Sequence, residues 1–137
     1  MNLRFLDHLN LSISSFEDTV TWYSRVFGFK LVEEGVQDGT KWGVIRAGEA
    51  LLCIYEYPDC ELHDRFEMRK RGLHGLNHFG LRITDEKEWL DIIERENLEI
   101  LYDGPIRWPH STAWYLKDPT GWEIEVALWD GDHVDFD

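Results

Sequence analysis

A chain of 137 residues has room for one domain with a full core, and seven Trp, five Tyr and seven Phe supply apolar area to fill it. The net charge of −13 argues against DNA, RNA and anionic membranes as partners, because those need clustered Lys and Arg and the one dense basic run, Arg69-Lys70-Arg71, is short. No apolar stretch approaches the roughly 20 residues of a membrane span.

The start, Met1 to His8, carries no signal-type apolar run. Cys53 and Cys60 have neither metal nor redox spacing, which fits two free thiols in a reducing compartment. A soluble cytoplasmic protein is the expectation.

Residues 5–13 alternate Phe5, Asp7, Leu9, Leu11 and Ile13 against Leu6, His8, Asn10 and Ser12, so a strand is expected with His8 on its more polar face. Ser14-Ser15-Phe16-Glu17 resembles a capping box, and Phe16, Val20, Tyr23 and Phe27 follow at helical spacing up to Gly28. Three strands are expected next, at about 29–36, 41–47 and 50–57, separated by turns at Gln37-Asp38-Gly39-Thr40 and Ala47-Gly48-Glu49. Residues 58–75 read as a charged connection with about one helical turn.

A strand at about 77–83 follows, then a helix opening near Thr84 or Asp85 with Trp89, Leu90, Ile92 and Ile93 on its apolar face and Asn97 as terminator. A strand at about 98–102 and a loop from Asp103 to Ser111 come next. The chain closes with a hairpin, about 112–117 and 122–129, around Asp118-Pro119-Thr120-Gly121, a type I turn with a bulge at the glycine. The tail from Asp130 to Asp137 is acidic and reads as frayed.

The order is strand, helix and three strands, stated twice. Leu6-Asp7-His8-Leu9-Asn10-Leu11-Ser12-Ile13 recurs as Leu76-Asn77-His78-Phe79-Gly80-Leu81-Arg82-Ile83. A single histidine in a strand is best explained as an ordinary strand residue. Two at matching places in a duplicated module can instead present two imidazoles to one metal.

The duplication and the closing Asp118-Pro119-Thr120-Gly121-Trp122-Glu123-Ile124-Glu125 together resemble the vicinal oxygen chelate superfamily, over about residues 5–129. That superfamily includes glyoxalase I, extradiol dioxygenases, fosfomycin-resistance proteins and bleomycin-binding proteins. The resemblance implies an α+β fold: two βαβββ modules forming curved mixed sheets with helices on the outer face. The modules would span about 5–57 and 76–129 of a single domain, joined by 58–75. It implies metal ligands at His8, His78 and Glu125, and lays the fourth family position on Cys53, where glyoxalase I has a carboxylate. Cys53 is therefore expected to line the substrate pocket.

Two imidazoles and a carboxylate leave coordination sites open, which favours Fe(II) or Mn(II); Zn(II), Ni(II) or Co(II) would act as Lewis acids there. Tyr115 should lie opposite Glu125 across the hairpin, placed to donate to a substrate oxygen or act as an acid. The alternative for Tyr115 is plain core packing. His63 falls near the place of an acid–base histidine in extradiol dioxygenases, against the simpler case of a surface histidine. Arg107 and His110 are candidates to receive an anionic substrate group.

The implied activity is a metal-dependent enzyme on a small molecule with vicinal oxygens, led by extradiol-type dioxygenation. A glyoxalase-like lyase or epimerase is the close alternative. A metal-free binding protein of the bleomycin-resistance type, with Trp108, Trp114, Trp122 and Trp129 as an aromatic wall, is the competitor from another class. The family also implies a homodimer.

Overall fold

The computed structural model describes residues 1–137, in two compact units, Met1–Glu61 and Leu62–Asp137. Each unit holds a four-stranded mixed sheet built from one strand–helix–three-strand series. The α+β class and the two-module organisation expected from the duplication are both present. No helix is long and apolar enough to cross a membrane.

In the first unit, β1 (Leu9–Ile13) leads into α1 (Phe16–Phe27), then β2 (Lys30–Gln37), β3 (Thr40–Ala47) and β4 (Ala50–Glu56). The sheet order is β1-β4-β3-β2, with β1 parallel to β4 and the other pairs antiparallel. Ser15 caps α1 by accepting from the Asp18 N–H, and Gly28 ends it at φ 71, a left-handed conformation that suits a residue without Cβ. The Glu56 carboxylate accepts from the Phe16 N–H at 2.6 Å, so the end of β4 satisfies a donor at the positive end of the helix. Phe16, Thr19, Tyr23 and Val26 are the buried stripe of α1. A Cβ on Gly43 would meet the Phe16 ring at 2.9 Å, so glycine there is what lets helix and β3 approach.

The second unit adds α2 (Arg65–Lys70) before β5 (Phe79–Ile83), then α3 (Glu86–Arg95), β6 (Ile106–Arg107), β7 (Ser111–Lys117) and β8 (Glu123–Trp129). Its sheet order is β5-β8-β7-β6. Asp85 caps α3, and Trp89, 1% exposed, is its buried residue. Ile124 and Val126, both 0% exposed, point to the core side of β8. Asp118 accepts from the N–H groups of Thr120, Gly121 and Trp122, and its own N–H donates to the Trp122 carbonyl. One carboxylate therefore organises the whole β7–β8 turn.

Three expectations fail. The strand at 98–102 does not form. Asn97, Tyr102 and Asp103 all adopt positive φ; the Leu98 N–H turns back to the Ile93 carbonyl, and the Leu101 N–H reaches β7 at the Tyr115 carbonyl. The edge strand is the two-residue β6 inside the expected loop, paired with Thr112 and Ala113. Second, β1 and β5 begin at Leu9 and Phe79, so His8 and His78 sit just before their strands. Third, the tail is not wholly frayed: the Phe136 ring packs edge-on against Trp129 and His110.

Candidate functional site

Pairing registers show how far the duplication extends. Asn10 pairs with Cys53 in the first sheet, and Gly80 pairs with Glu125 in the second. His8 and His78 each stand two residues before that pairing. Cys53 is thus the counterpart of Glu125. By the same register Val44, opposite Cys53, is the counterpart of Tyr115, opposite Glu125. Chemistry-bearing side chains have accumulated on the second module, while the first carries Val44 and Cys53 at those places.

In the second unit the His78 Nε2 lies 2.9 Å from the Glu125 Oε2. Both side chains remain partly open, at 28% and 21% exposure. Tyr115 is buried, with its ring edge-on to the imidazole at 5.6 Å between centroids. The Trp108 indole N–H donates to the Tyr115 hydroxyl oxygen at 3.1 Å, and the hydroxyl proton is directed to the Glu125 carboxylate. Burial raises the Tyr115 pKa above the ordinary tyrosine value, and the charge of Glu125 and the hydrogen bond to it add to this against the Trp108 bond. The group is a neutral donor at physiological pH.

A second cluster lies on the other edge of His78. Glu123 shares a face of β8 with Glu125 and is 8% exposed. The Tyr102 hydroxyl donates to Glu123 Oε1 and accepts from Arg65 at 2.9 Å. Glu123 Oε2 faces Arg65 Nε at 3.4 Å and His78 Nδ1 at 3.7 Å. Burial works against the Arg65 charge, but the Tyr102 hydrogen bond and the Glu123 carboxylate outweigh it and raise the guanidinium pKa. Burial, then the bond to Glu123, raises the Tyr102 pKa.

A cavity of about 130 Å³ lies against this cluster, with Arg65, Phe66, Tyr102, Trp122 and Glu123 among its walls. His63 lines it too, with its Nε2 accepting from Arg71 at 2.9 Å. Arg65, Tyr102 and Glu123 were not singled out in the sequence. The one available signal was that Glu123 stands two residues before Glu125, on the same strand face.

His8 is exposed and bonded to its neighbour Asp7 at 2.7 Å. Cys53 is half-buried on β4, and burial, then the Asp7 charge, raises its thiol pKa. Arg107 is committed to Asp130, to Oδ1 at 2.6 Å and also to Oδ2. His110 precedes β7, and its carbonyl accepts from the Asp130 N–H. Among the tryptophans, Trp114 is core at 2% exposure and Trp108 is 46% exposed.

No group of three or more His, Cys, Asp or Glu side chains converges as a metal cluster. The His78–Glu125 pair nonetheless has suitable spacing. Two N and O ligands about 2.1 Å from a metal and about 90° apart stand about 3 Å from each other. The imidazole and carboxylate are already at that separation, so the pair fits as part of a metal's ligand set.

The comparisons with known proteins agree with this architecture. Among solved structures, a glyoxylase/bleomycin resistance protein/dioxygenase domain from Frankia sp. EAN1pec superposes with a TM-score of 0.76 at 14% identity, over 96% of each chain. A glyoxalase family protein from Enterococcus faecalis gives 0.76 at 16% identity, over 93% of this chain and 99% of that one. The fosfomycin resistance protein FosX from Listeria monocytogenes gives 0.73 at 16% identity over 93% of both. A FosX variant complexed with Mn(II) and 1S,2S-dihydroxypropylphosphonic acid gives 0.73 at 15% identity, over 93% of this chain and 94% of that one. At these identities the likeness is one of fold. No curated protein matches the sequence significantly. The family model for the Glyoxalase/Bleomycin resistance protein/Dioxygenase superfamily matches residues 5–126, and the chain belongs to that superfamily.

Proposed function

We propose that this protein is a metal-dependent enzyme acting on a small molecule with two adjacent oxygens. The observation that carries it is the 2.9 Å approach of His78 Nε2 to Glu125 Oε2, beside the buried Tyr115. His78 and Glu125 would hold a divalent cation, with His8 as the third ligand on the family pattern. Such an ion polarises bound oxygens and makes the substrate's adjacent groups more acidic.

The rest falls to the chain. Tyr115 would donate a hydrogen bond to a substrate oxygen once Glu125, its present acceptor, is engaged by the ion; Trp108 holds its oxygen and burial keeps it protonated. His63, on the wall of the neighbouring cavity, is the acid–base candidate. Cys53 would line the pocket. Arg107 and His110 remain candidates for an anionic group, though such a group must displace Asp130 from Arg107. Fe(II) or Mn(II) is the favoured ion, and extradiol-type ring cleavage leads because two imidazoles and one carboxylate leave sites open for substrate and O₂.

A second assignment is addition to, or rearrangement of, a vicinally oxygenated substrate without O₂. The fold likeness to a protein crystallised with Mn(II) and a dihydroxy phosphonate favours it. Oxygen uptake by the Fe(II)-loaded protein on a catechol panel separates the two. Uptake with ring opening supports dioxygenation, and turnover of an epoxide or hemithioacetal without uptake supports the second. A homodimer is proposed with either, supported by the exposed apolar residues Val32 and Val36 on edge strand β2, and sedimentation tests it.

A further inference from the structure

Arg65 Nε, His78 Nδ1 and Glu123 Oε2 are buried in the second unit without a hydrogen-bond partner. They face one another. Arg65 Nε is 3.4 Å and His78 Nδ1 is 3.7 Å from the same carboxylate oxygen. Leaving a buried carboxylate oxygen and the Arg65 N–H unmade is costly, and the two need only a slight tightening or one bridging water to satisfy each other; His78 Nδ1 can join them as a donor when that nitrogen carries the ring proton. Glu123 itself cannot swing away, because its other oxygen is held by Tyr102, which Arg65 in turn holds.

Imidazole has two nitrogens, and a metal can take only the unprotonated one. If Nε2 faces the ion beside Glu125, the ring proton must sit on Nδ1, where Glu123 waits to accept it. From this geometry we infer that Glu123 is a positioning residue. It selects the His78 tautomer and fixes the ring so that Nε2 presents its lone pair on the Glu125 side, with Arg65 and Tyr102 clamping Glu123. The inference rests on the metal-site assignment above and deepens it. It also explains why a second carboxylate is buried at a hairpin position where an apolar residue would pack at lower cost.

The test pairs metal affinity with stability, which a merely structural role would move together. Zn(II) and Mn(II) affinities are measured by chelator competition for the wild type, Glu123→Gln, Glu123→Met, the Arg65→Met, Glu123→Met double variant and Glu125→Gln, with urea denaturation of each metal-free protein. Glu123→Met should weaken both metals about 10–100-fold and also cost stability, because it leaves Arg65 and Tyr102 without their acceptor. The double variant Arg65→Met with Glu123→Met, which removes the ion pair together, should keep the affinity loss with metal-free stability near wild type. Glu123→Gln, whose amide oxygen still accepts from Nδ1, should recover part of that loss. In the Zn(II)-loaded wild type, nitrogen-15 correlation spectra should show the His78 proton on Nδ1.

Wild-type affinity in Glu123→Met, or a Zn(II)-loaded His78 protonated on Nε2, overturns the inference while leaving the metal site standing. Wild-type affinity in the Arg65→Met, Glu123→Met double variant, or no recovery of affinity in Glu123→Gln, also overturns it. A wild type that binds neither metal, or full binding in Glu125→Gln, brings down the metal-site assignment and the inference with it.

Discussion

Tyr115 and Glu125 face each other across the β7–β8 ladder as direct register partners. The pairing sets a buried hydroxyl beside the carboxylate that approaches His78, and the Asp118 turn three residues further on fixes it. Removing the Tyr115 hydroxyl should therefore affect turnover more than structure. Tyr115→Phe is expected to keep metal content and to lose about 1 kcal/mol of stability for the Trp108 bond. Its kcat should fall about 10²–10⁴-fold if the hydroxyl moves a proton in the reaction. Steady-state kinetics with urea denaturation checks both, and an unchanged kcat would return Tyr115 to core packing.

Asp118 accepts three backbone N–H groups while 5% exposed. Asp118→Ala should cost about 2–3 kcal/mol, in the range of a lost charged hydrogen bond with its donors left behind. Because the turn fixes the register, exchange of the Tyr115 and Leu116 amides should accelerate as well. Slow exchange and unchanged stability would show that the strands alone set the register.

Much of this was legible in the sequence because it was local or repeated. The Ser15 cap, the Gly28 stop and the Asp118-Pro119-Thr120-Gly121 turn are contained in runs of four or five residues, and the turn fixed the Tyr115–Glu125 pairing. The failed strand at 98–102 had apolar residues in the right number. Three left-handed residues, Asn97, Tyr102 and Asp103, break it, and only asparagine and aspartate hint at that in advance. The Arg65–Tyr102–Glu123 cluster joins residues up to 58 positions apart, by the numbering in which Arg65 meets Glu123. No local period encodes such a contact.

The Arg107–Asp130 pair makes a pH prediction. The hydrogen bond from Arg107 holds the Asp130 carboxyl below the ordinary aspartate value. A depressed folded-state pKa means that the stabilisation is complete above the unfolded value of about 3.9 and is lost as pH falls through the folded one. Both groups are exposed, so the contribution is small and screened by salt. Carbon-detected titration should show Asp130 protonating at higher pH in Arg107→Ala than in the wild type. Identical curves would contradict the pairing.

The two thiols should differ. Cys53 is half-buried, and burial and the Asp7 charge push its pKa up, whereas Cys60 is exposed. At neutral pH an alkylating reagent should label Cys60 first and Cys53 several-fold more slowly, with peptide mass spectrometry as the readout. Asp7→Asn should speed Cys53 labelling. If Cys53 reacts first, a thiolate-stabilising group must face it and its place as a passive pocket residue is wrong. Cys53→Ala should keep full metal content, since Cys53 is not among the proposed ligands.

The central claim is that His78 and Glu125 hold a metal. Elemental analysis of protein purified anaerobically without chelator or affinity metal, followed by metal titration, tests it most directly. About one equivalent of a divalent metal per chain is expected in the wild type, lost in His78→Ala, Glu125→Gln and His8→Ala. No metal in the wild type with none regained on titration would contradict the enzyme assignment, and full metal retained in Glu125→Gln would remove that carboxylate from the site.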